Sequence, residues 1–328
     1  MIISATPYRI SFFGGGTDYP AWYKKHGGAV LSTTINRYCN IQARYLPPFF
    51  RHKYRVVWSK IETPVESNEI DHPIVRAAIE NFGIDQGMEI HHFGDLPARS
   101  GLGSSSSFTV GILLALYGLT GKLIGKEDLA REAIRVEQEI VAEMVGVQDQ
   151  IAAAYGGFNR IDFAQDGRFT VNPLPVSKGR LRELNDHLVL VFTGVSRTAS
   201  TVAEKQVAAF GSKEDVLKRM AAMVDDGVDM LVSDRDIREF GELLHEGWEL
   251  KRSITPEIST GEVNDLYDLG RSAGAIGGKL LGAGGGGFMV FFVEPEKREH
   301  FLGQIDGYLN VPFEFEDKGS HIVHYTRD

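Results

Sequence analysis

Between Pro97 and Ser107 the chain reads Pro97-Ala98-Arg99-Ser100-Gly101-Leu102-Gly103-Ser104-Ser105-Ser106-Ser107 and then runs straight into the apolar stretch Phe108 to Leu116. Glycines just before a helix leave backbone N–H groups free at the end where the helix dipole is positive, and an anion binds there. They also let the backbone approach a phosphate closely, while serine hydroxyls cap the helix, donate to phosphate oxygens or ligate a metal. A capped helix after a flexible loop needs one serine; four in a row with two glycines exceed that need. No Lys-Ser or Lys-Thr pair follows the glycines, so the segment is not a P-loop. The expectation is a nucleotide-phosphate cradle of another class, using Pro97, Gly101, Leu102, Gly103, Ser104, Ser105 and Ser106.

Around this loop the chain alternates irregularly between strand and helix signals, which points to an α+β fold and not a regular βαβ array. Ile2 to Phe13, Ala29 to Leu46, Lys53 to Ser59 and Met88 to Phe93 read as strands, with a helix over Pro73 to Phe82 and Asp71 near its N-cap. From Ser104 the pattern is helical to about Tyr155. Short strands at 158–163 and 169–174 follow, then a linker over Pro173 to Gly179. Beyond it lie a strand at 187–192, helices over 199–249, a helix at 262–272, a glycine loop, a strand at 288–293, a helix near 296–305 and two short strands. Ile237, Phe240, Leu244 and Trp248 fall at helical spacing and mark a core stripe. At 328 residues there is material for two modest domains, taken as 1–175 and 176–328. A formal charge of -9 without a Lys/Arg block argues against a nucleic-acid partner. The lone Cys39 reads as a buried thiol, and no apolar run is long enough for a membrane span. A cytoplasmic enzyme is expected; a homodimer stays open.

Two carboxylates stand on apolar faces. In the helix near Glu127 to Glu143, Glu137 has Ala130, Ala133, Ile134, Ile140 and Val141 around it at helical spacing, while Glu132, Arg135, Glu139 and Glu143 fall opposite. A carboxylate there is costly unless it is paired or binds a metal. Asp149 follows twelve residues later among Val145, Ala152 and Ala153. Beside a phosphate loop, one acid would hold Mg²⁺ and the other would orient or deprotonate an attacking hydroxyl. The competing reading is that each acid simply pairs with a buried arginine such as Arg9.

Gly282-Ala283-Gly284-Gly285-Gly286-Gly287 matches a dinucleotide fingerprint formally, but a strand follows where that fingerprint requires a helix. The loop is instead expected to pass close to a substrate or to the first glycine loop, with Gly284 and Gly285 as substrate contacts. At the N-terminus, Pro7-Tyr8-Arg9-Ile10 and Gly14-Gly15-Gly16-Thr17-Asp18-Tyr19 place Arg9 and Asp18 on either side of a strand break. Asp18 either accepts hydrogen bonds from sugar hydroxyls or caps the helix after Pro20. Trp58 either stacks on adenine or packs in the core.

Taken together, these motifs resemble the GHMP kinases. Three signatures appear in order: Pro7 to Ile10 with Gly14 to Asp18, then Pro97 to Ser107, then Gly278 to Gly287. The resemblance implies two domains, the N-terminal one like ribosomal protein S5 domain 2 and the C-terminal one ferredoxin-like, with the active site between them. It implies ATP as phosphate donor, Ser105 and Glu137 as Mg²⁺ ligands, Asp149 as catalytic aspartate and Arg9 as the cation beside it. Thr193 to Ser200, His245 to Arg252 and Gly277 to Gly287 look most like the heptose 7-phosphate kinases, which phosphorylate an anomeric hydroxyl. By that resemblance Gly15, Gly16, Thr17 and Asp18 meet the sugar, and Arg197, Lys251, Arg252 and Lys279 are candidates for its phosphate. Galactokinases carry Glu-His where this chain has Gly15-Gly16. Another sugar 1-kinase and a catalytically silent sugar or nucleotide sensor remain the alternatives.

Overall fold

The computed structural model describes residues 1–195 and 199–326. Long runs of β-branched and aromatic residues make β1 (Ile2–Phe13) and β2 (Gly28–Tyr45), paired antiparallel along nearly their whole shared length. On the far side of β2 lies β5 (Met88–Gly94), followed by β3 (Tyr54–Val57) parallel to it and β4 (Ile61–Glu62) at the edge. The upper half of β2 also pairs with β6 (Phe158–Phe163), and β6 with β7 (Phe169–Pro173). Two strands from the far end of the chain complete this sheet: β12 (Phe315–Glu316) on β2 and β13 (His321–Tyr325) on β1. Residues after 312 therefore return to the sheet built by the first 175.

A second sheet has the order β11-β8-β10-β9, from β8 (Leu188–Phe192), β9 (Gly277–Leu280), β10 (Phe288–Phe292) and β11 (Leu309–Asn310), all antiparallel. Helices join β8 to β9 and β10 to β11. This is the β-α-β-β-α-β order of a ferredoxin-like domain.

The helices are α1 (Pro20–His26), α2 (Pro73–Phe82), α3 (Ser104–Leu119), α4 (Lys126–Arg135), α5 (Gln148–Tyr155), α6 (Lys178–His187), α7 (Ala199–Ala209), α8 (Glu214–Val232), α9 (Arg238–Arg252), α10 (Gly261–Ser272) and α11 (Arg298–Gln304). In α3 Val110, Ile112, Leu113, Ala115 and Leu116 are all fully buried, as expected of a helix that is apolar on every face. It lies across β1 and β2, where Gly111 rests against Thr6 and Ile41 and its carbonyl accepts from Ser4 Oγ at 2.8 Å. The stripe Ile237, Phe240, Leu244 and Trp248 of α9 is buried as its spacing requires.

Three local expectations change. The strand at Lys53 shortens to Tyr54–Val57, and α2 has His72 at its N-cap with no side-chain bond there, neighbouring Asp71 being paired with Lys60. The stretch read as helical from Ser104 to Tyr155 divides into α3, α4 and α5, and the helix expected near Glu127 to Glu143 keeps its regular form only to Arg135. After α4 it widens into a π-turn at Val136–Ile140, which leaves Ile140 41% exposed, and it then unwinds until α5. The reason lies at Gly146. Any Cβ there would come within 1.9 Å of Asp18 Oδ2, while Val147 N donates to Asp18 O, so the chain must leave the helix to reach that aspartate.

Candidate active site

Gly103 stands at the N-cap of α3 with φ 75°, in the left-handed region that favours glycine. A Cβ at this position would lie 3.3 Å from Arg9 Cγ and 3.4 Å from Asp149 Oδ2, so the loop rests directly on that pair. Arg9, 3% exposed, donates from Nε to Asp149 Oδ1 and from Nη2 to Oδ2, both at 2.7 Å. Its third nitrogen, Nη1, donates to Gly101 O at 2.7 Å, and its backbone N to Leu102 O at 3.1 Å. Asp149 sits in the first turn of α5 and keeps about a quarter of its side chain accessible. A carboxylate fixed on both oxygens and open to solvent is thus set beneath the N-terminus of a 16-residue helix, whose first N–H groups have no intrahelical acceptor.

Each of the four serines has a distinct place. Ser104 Oγ accepts from Arg99 N and closes the loop. Ser107 Oγ donates to Pro7 O and ties α3 to β1. Ser106 Oγ donates to Glu137 Oε2 at 3.0 Å, and Ser105 is exposed at the mouth. Glu137, fully buried in the π-turn, also receives Gln150 Nε2 on Oε2, while its Oε1 has no partner among the described residues. Burial pushes its carboxyl up to about 7 against the opposing hydrogen bonds. An orphaned carboxylate oxygen next to a serine hydroxyl, under a phosphate loop, suits Mg²⁺, which takes one or two protein ligands and completes its shell with substrate oxygens.

The two glycine loops meet. A Cβ on Gly101 would come within 2.3 Å of Leu281 O, and one on Gly282 within 2.5 Å of Gly101 Cα, while Phe288 N donates to Ser100 O at 2.9 Å. Lys251, buried at the end of α9, donates to Gly282 O. Burial, reinforced by the charge of Arg9, pushes Lys251 down to about 8 even though Asp18 and Asp149 oppose the shift. Asp18 is buried between Gly16 N, which donates at 2.9 Å, and Gln148 N at 3.4 Å; burial and then the charge of Asp149 push its carboxyl up.

The pattern of GHMP kinases N terminal domains matches residues 72–157, and that of GHMP kinases C terminal domains matches residues 230–308. The D-glycero-alpha-D-manno-heptose 7-phosphate kinase of Campylobacter jejuni is 30% identical over 97% of both chains. The chain belongs to the GHMP kinases. A bifunctional fucokinase/GDP-fucose pyrophosphorylase of Arabidopsis thaliana is 28% identical over 91% of this chain and 30% of its own length. Among solved structures, a D-glycero-D-manno-heptose 1-phosphate kinase from Bacteriodes thetaiotaomicron superposes over the whole of both chains with a TM-score of 0.83 at 27% identity. A Lactococcus lactis galactokinase at 19% identity and a TM-score of 0.74 shares the fold.

In this GHMP kinase several side chains stand elsewhere than the sequence suggests. The hydroxyl that reaches Glu137 is that of Ser106, which turns inward on α3, while Ser105, expected as a Mg²⁺ ligand, is exposed in the first turn of the helix. Thr17 does not line an open site; its buried hydroxyl reaches Gly14 O at 2.8 Å and Ala29 O at 2.9 Å and staples the loop to β2. Asp18 does not cap α1, whose N-cap, Tyr19, makes no side-chain bond. Lys279 is buried, with its ammonium on Ser11 O and Phe12 O at 2.8 and 2.7 Å, so it joins β9 to β1 and has no surface partner. Gly284 and Gly285 pack on the turn at Ile258, where Gly285 N donates to Ile258 O at 2.9 Å. Arg252 pairs with Glu249, and Arg197 lies outside the described residues. Trp58 donates to Glu62 Oε1 and stands edge-on to His72, which stacks on Phe108 of α3 at 4.5 Å. Gln148 and Gln150 were not singled out by the sequence reading. Their signal was the run Gln148-Asp149-Gln150, two amides bracketing an acid.

Proposed function

We propose that this GHMP kinase transfers the γ-phosphoryl group of ATP to the anomeric C1 hydroxyl of D-glycero-D-manno-heptose 7-phosphate, giving the 1,7-bisphosphate. The observation that carries the reading is the Arg9–Asp149 pair lying directly under Gly103. A hydroxyl placed on the open side of Asp149 would be aligned beside a phosphoryl group held by the backbone N–H groups from Gly101 to Ser106. The bond from the γ-phosphorus to the bridging oxygen breaks, a bond to the C1 oxygen forms, ADP leaves with the electron pair, and the hydroxyl proton passes to Asp149. Glu137, with Ser106 and the exposed Ser105, would hold Mg²⁺, which when bound neutralises phosphate charge. Pro97 and Trp58 would flank the nucleotide.

A phosphorylated acceptor is supported by charge. Arg9 and Lys251 are two buried cations near Asp149 and Asp18; burial favours the protonated form of Asp18 and pushes the third basic group, Lys279, down towards its neutral form. The site is therefore short of negative charge, which an anionic substrate supplies. The heptose itself comes from the names of the relatives. Gly15, Gly16 and Asp18 would face the sugar. Among the described residues no helix is long and apolar enough to cross a membrane.

The test is incubation with MgATP and a panel of sugars and sugar phosphates, locating new phosphate by phosphorus NMR. A new anomeric phosphate on the heptose 7-phosphate supports the reading. Preferred turnover of an unphosphorylated hexose or deoxyhexose replaces it with another sugar 1-kinase, and no product with any sugar favours the sensor.

A further inference from the structure

Through the phosphate loop the backbone alternates in hand. Arg99, Gly101 and Gly103 have φ of 59°, 79° and 75°, while Ser100 and Leu102 between them are outside the positive-φ set. Alternation of this kind turns successive N–H groups to one side and makes a concave anion site. Crowding requires glycine at two of the three positions: a Cβ on Gly101 would come within 2.3 Å of Leu281 O, and one on Gly103 would press on Arg9 Cγ at 3.3 Å. The third position is an arginine, held in a conformation that is costly for any residue with a Cβ.

Among the described residues only one other non-glycine shares that conformation: Ala142, with φ 58°, in the unwound stretch after the π-turn. The turn at Ala142 brings Glu143 N to Glu137 O at 2.8 Å, so this stretch folds back to the buried carboxylate whose Oε1 is unpartnered. The two strained positions therefore lie on the two segments that border one candidate site, which is where ligand clamps store strain. Arg99 is exposed, and its guanidinium makes no hydrogen bond or ion pair with any described residue. Only its backbone N is engaged; it donates to Ser104 Oγ at 3.0 Å and fixes Arg99 beside the first turn of α3. The charge that Arg99 does meet is Glu143, whose carboxyl is pushed up by burial against the opposing effect of the guanidinium.

We infer that Arg99 is a further nucleotide-contacting residue, its guanidinium closing the rim of the loop over the β- and γ-phosphoryl oxygens that the backbone N–H groups hold from below. This rests on the reading above that the loop holds ATP. In the free protein Glu143 is the counter-charge facing the guanidinium, and in the complex the phosphates take its place. Glycine at 99 would supply the turn but no charge, whereas the planar guanidinium donates to two phosphoryl oxygens at once.

Three variants separate the side chain from the turn. Arg99→Gly accepts the left-handed turn without strain and removes the charge; Arg99→Met removes the charge and keeps the bulk; Arg99→Lys keeps the charge and loses the paired donors. Calorimetric titration of the full chain with ATP, ADP and adenosine in the presence of Mg²⁺ reads the effect. In Arg99→Gly and Arg99→Met the Kd for ATP and ADP should rise by about tenfold or more, the usual loss for a charge-assisted contact, with a smaller rise in Arg99→Lys. The Kd for adenosine and the melting temperature should stay at their wild-type values. Wild-type affinity for ATP and ADP in Arg99→Met overturns the inference, and so does an equal loss of adenosine affinity, which marks general damage to the site. Unchanged nucleotide affinity with a raised acceptor KM assigns Arg99 to the acceptor's phosphate and overturns it as well. Should Arg99→Gly lower the melting temperature, Arg99→Met and Arg99→Lys decide the matter. A wild type that binds no ATP overturns the kinase reading itself, whereas a wild type that binds ATP no more tightly than its Arg99 variants overturns the clamp alone.

Discussion

Arg9 holds both carboxylate oxygens of Asp149 at 2.7 Å and, through its remaining nitrogen, the carbonyl of Gly101, so the acid and the phosphate loop form one hydrogen-bonded unit. Asp149→Asn preserves shape and volume but removes the charge that the guanidinium grips. Turnover should fall by roughly 10²–10⁴-fold, the usual worth of a positioned acid–base group. ATP affinity, measured by fluorescence or calorimetric titration, should change little. Near-normal turnover would remove Asp149 from the mechanism.

Glu137 and Ser106 share a different fate. Glu137→Gln retains the amide and hydroxyl partners of Oε2 but replaces the charge of a buried carboxylate whose Oε1 is unpartnered. The Mg²⁺ concentration giving half-maximal rate should shift upward, and Ser106→Ala should shift it in the same direction by less. Ser105→Ala separates the two serines: a larger shift there than in Ser106→Ala would show that the exposed hydroxyl, not the buried one, belongs to the metal site. An unchanged Mg²⁺ titration in Glu137→Gln would argue against a ligand role.

Much of this site could be read from the chain because its residues announce themselves by chemistry out of place: Glu137 on an apolar face, four serines where one caps, glycines in two clusters. The loops' mutual contact, with Gly101 against Leu281 and Gly282, was one of two readings open from spacing alone. What was hidden depended on angular detail. Whether Ser105 or Ser106 turns inward is a matter of about 100° around α3. The unwinding at Gly146 could not be foreseen, since its cause, the carboxylate of Asp18, is 128 residues away. Lys279 looks like any surface lysine in sequence, and only the crossing of β9 with the end of β1 buries it. Two short strands near the chain's end are legible, but their return to the first sheet is not, because the pairing of β12 with β2 and β13 with β1 joins residues about 280 to 320 positions apart.

His72 links α2 to α3 and makes part of the fold's acid sensitivity. Its ring stacks on Phe108, Nδ1 has no partner among the described residues, and burial pushes it down to about 4 from 6.5. The unfolded chain therefore takes up a proton first as pH falls. Its contribution to stability is complete above about 6.5 and is lost progressively towards 4, amounting to about 3 kcal/mol. His72→Phe should flatten the melting temperature over pH 4 to 6.5 relative to the wild type. Parallel curves for the two proteins would show that other groups govern this window.

Lys251 should trade stability for substrate. Its ammonium is buried, donates to Gly282 O, and lies within the electrostatic reach of Arg9, a like charge. With a folded value of about 8 against the ordinary 10.5, the unfolded state binds more protons between those limits, so stability rises with pH across that window. Lys251→Met fills the same space without a charge to bury. The variant should melt at or above the wild-type temperature at pH 7, since removing a poorly compensated buried charge is often stabilising, and it should lose the rise between pH 8 and 10.5. If Lys251 also attracts the acceptor's phosphate, KM for the phosphorylated sugar should increase by about tenfold or more while KM for ATP holds, as expected for a charge-assisted contact worth ~1.5–3 kcal/mol. A stabilised variant with an unchanged acceptor KM would assign Lys251 to bracing the second glycine loop against α9 and leave the phosphate to other cations.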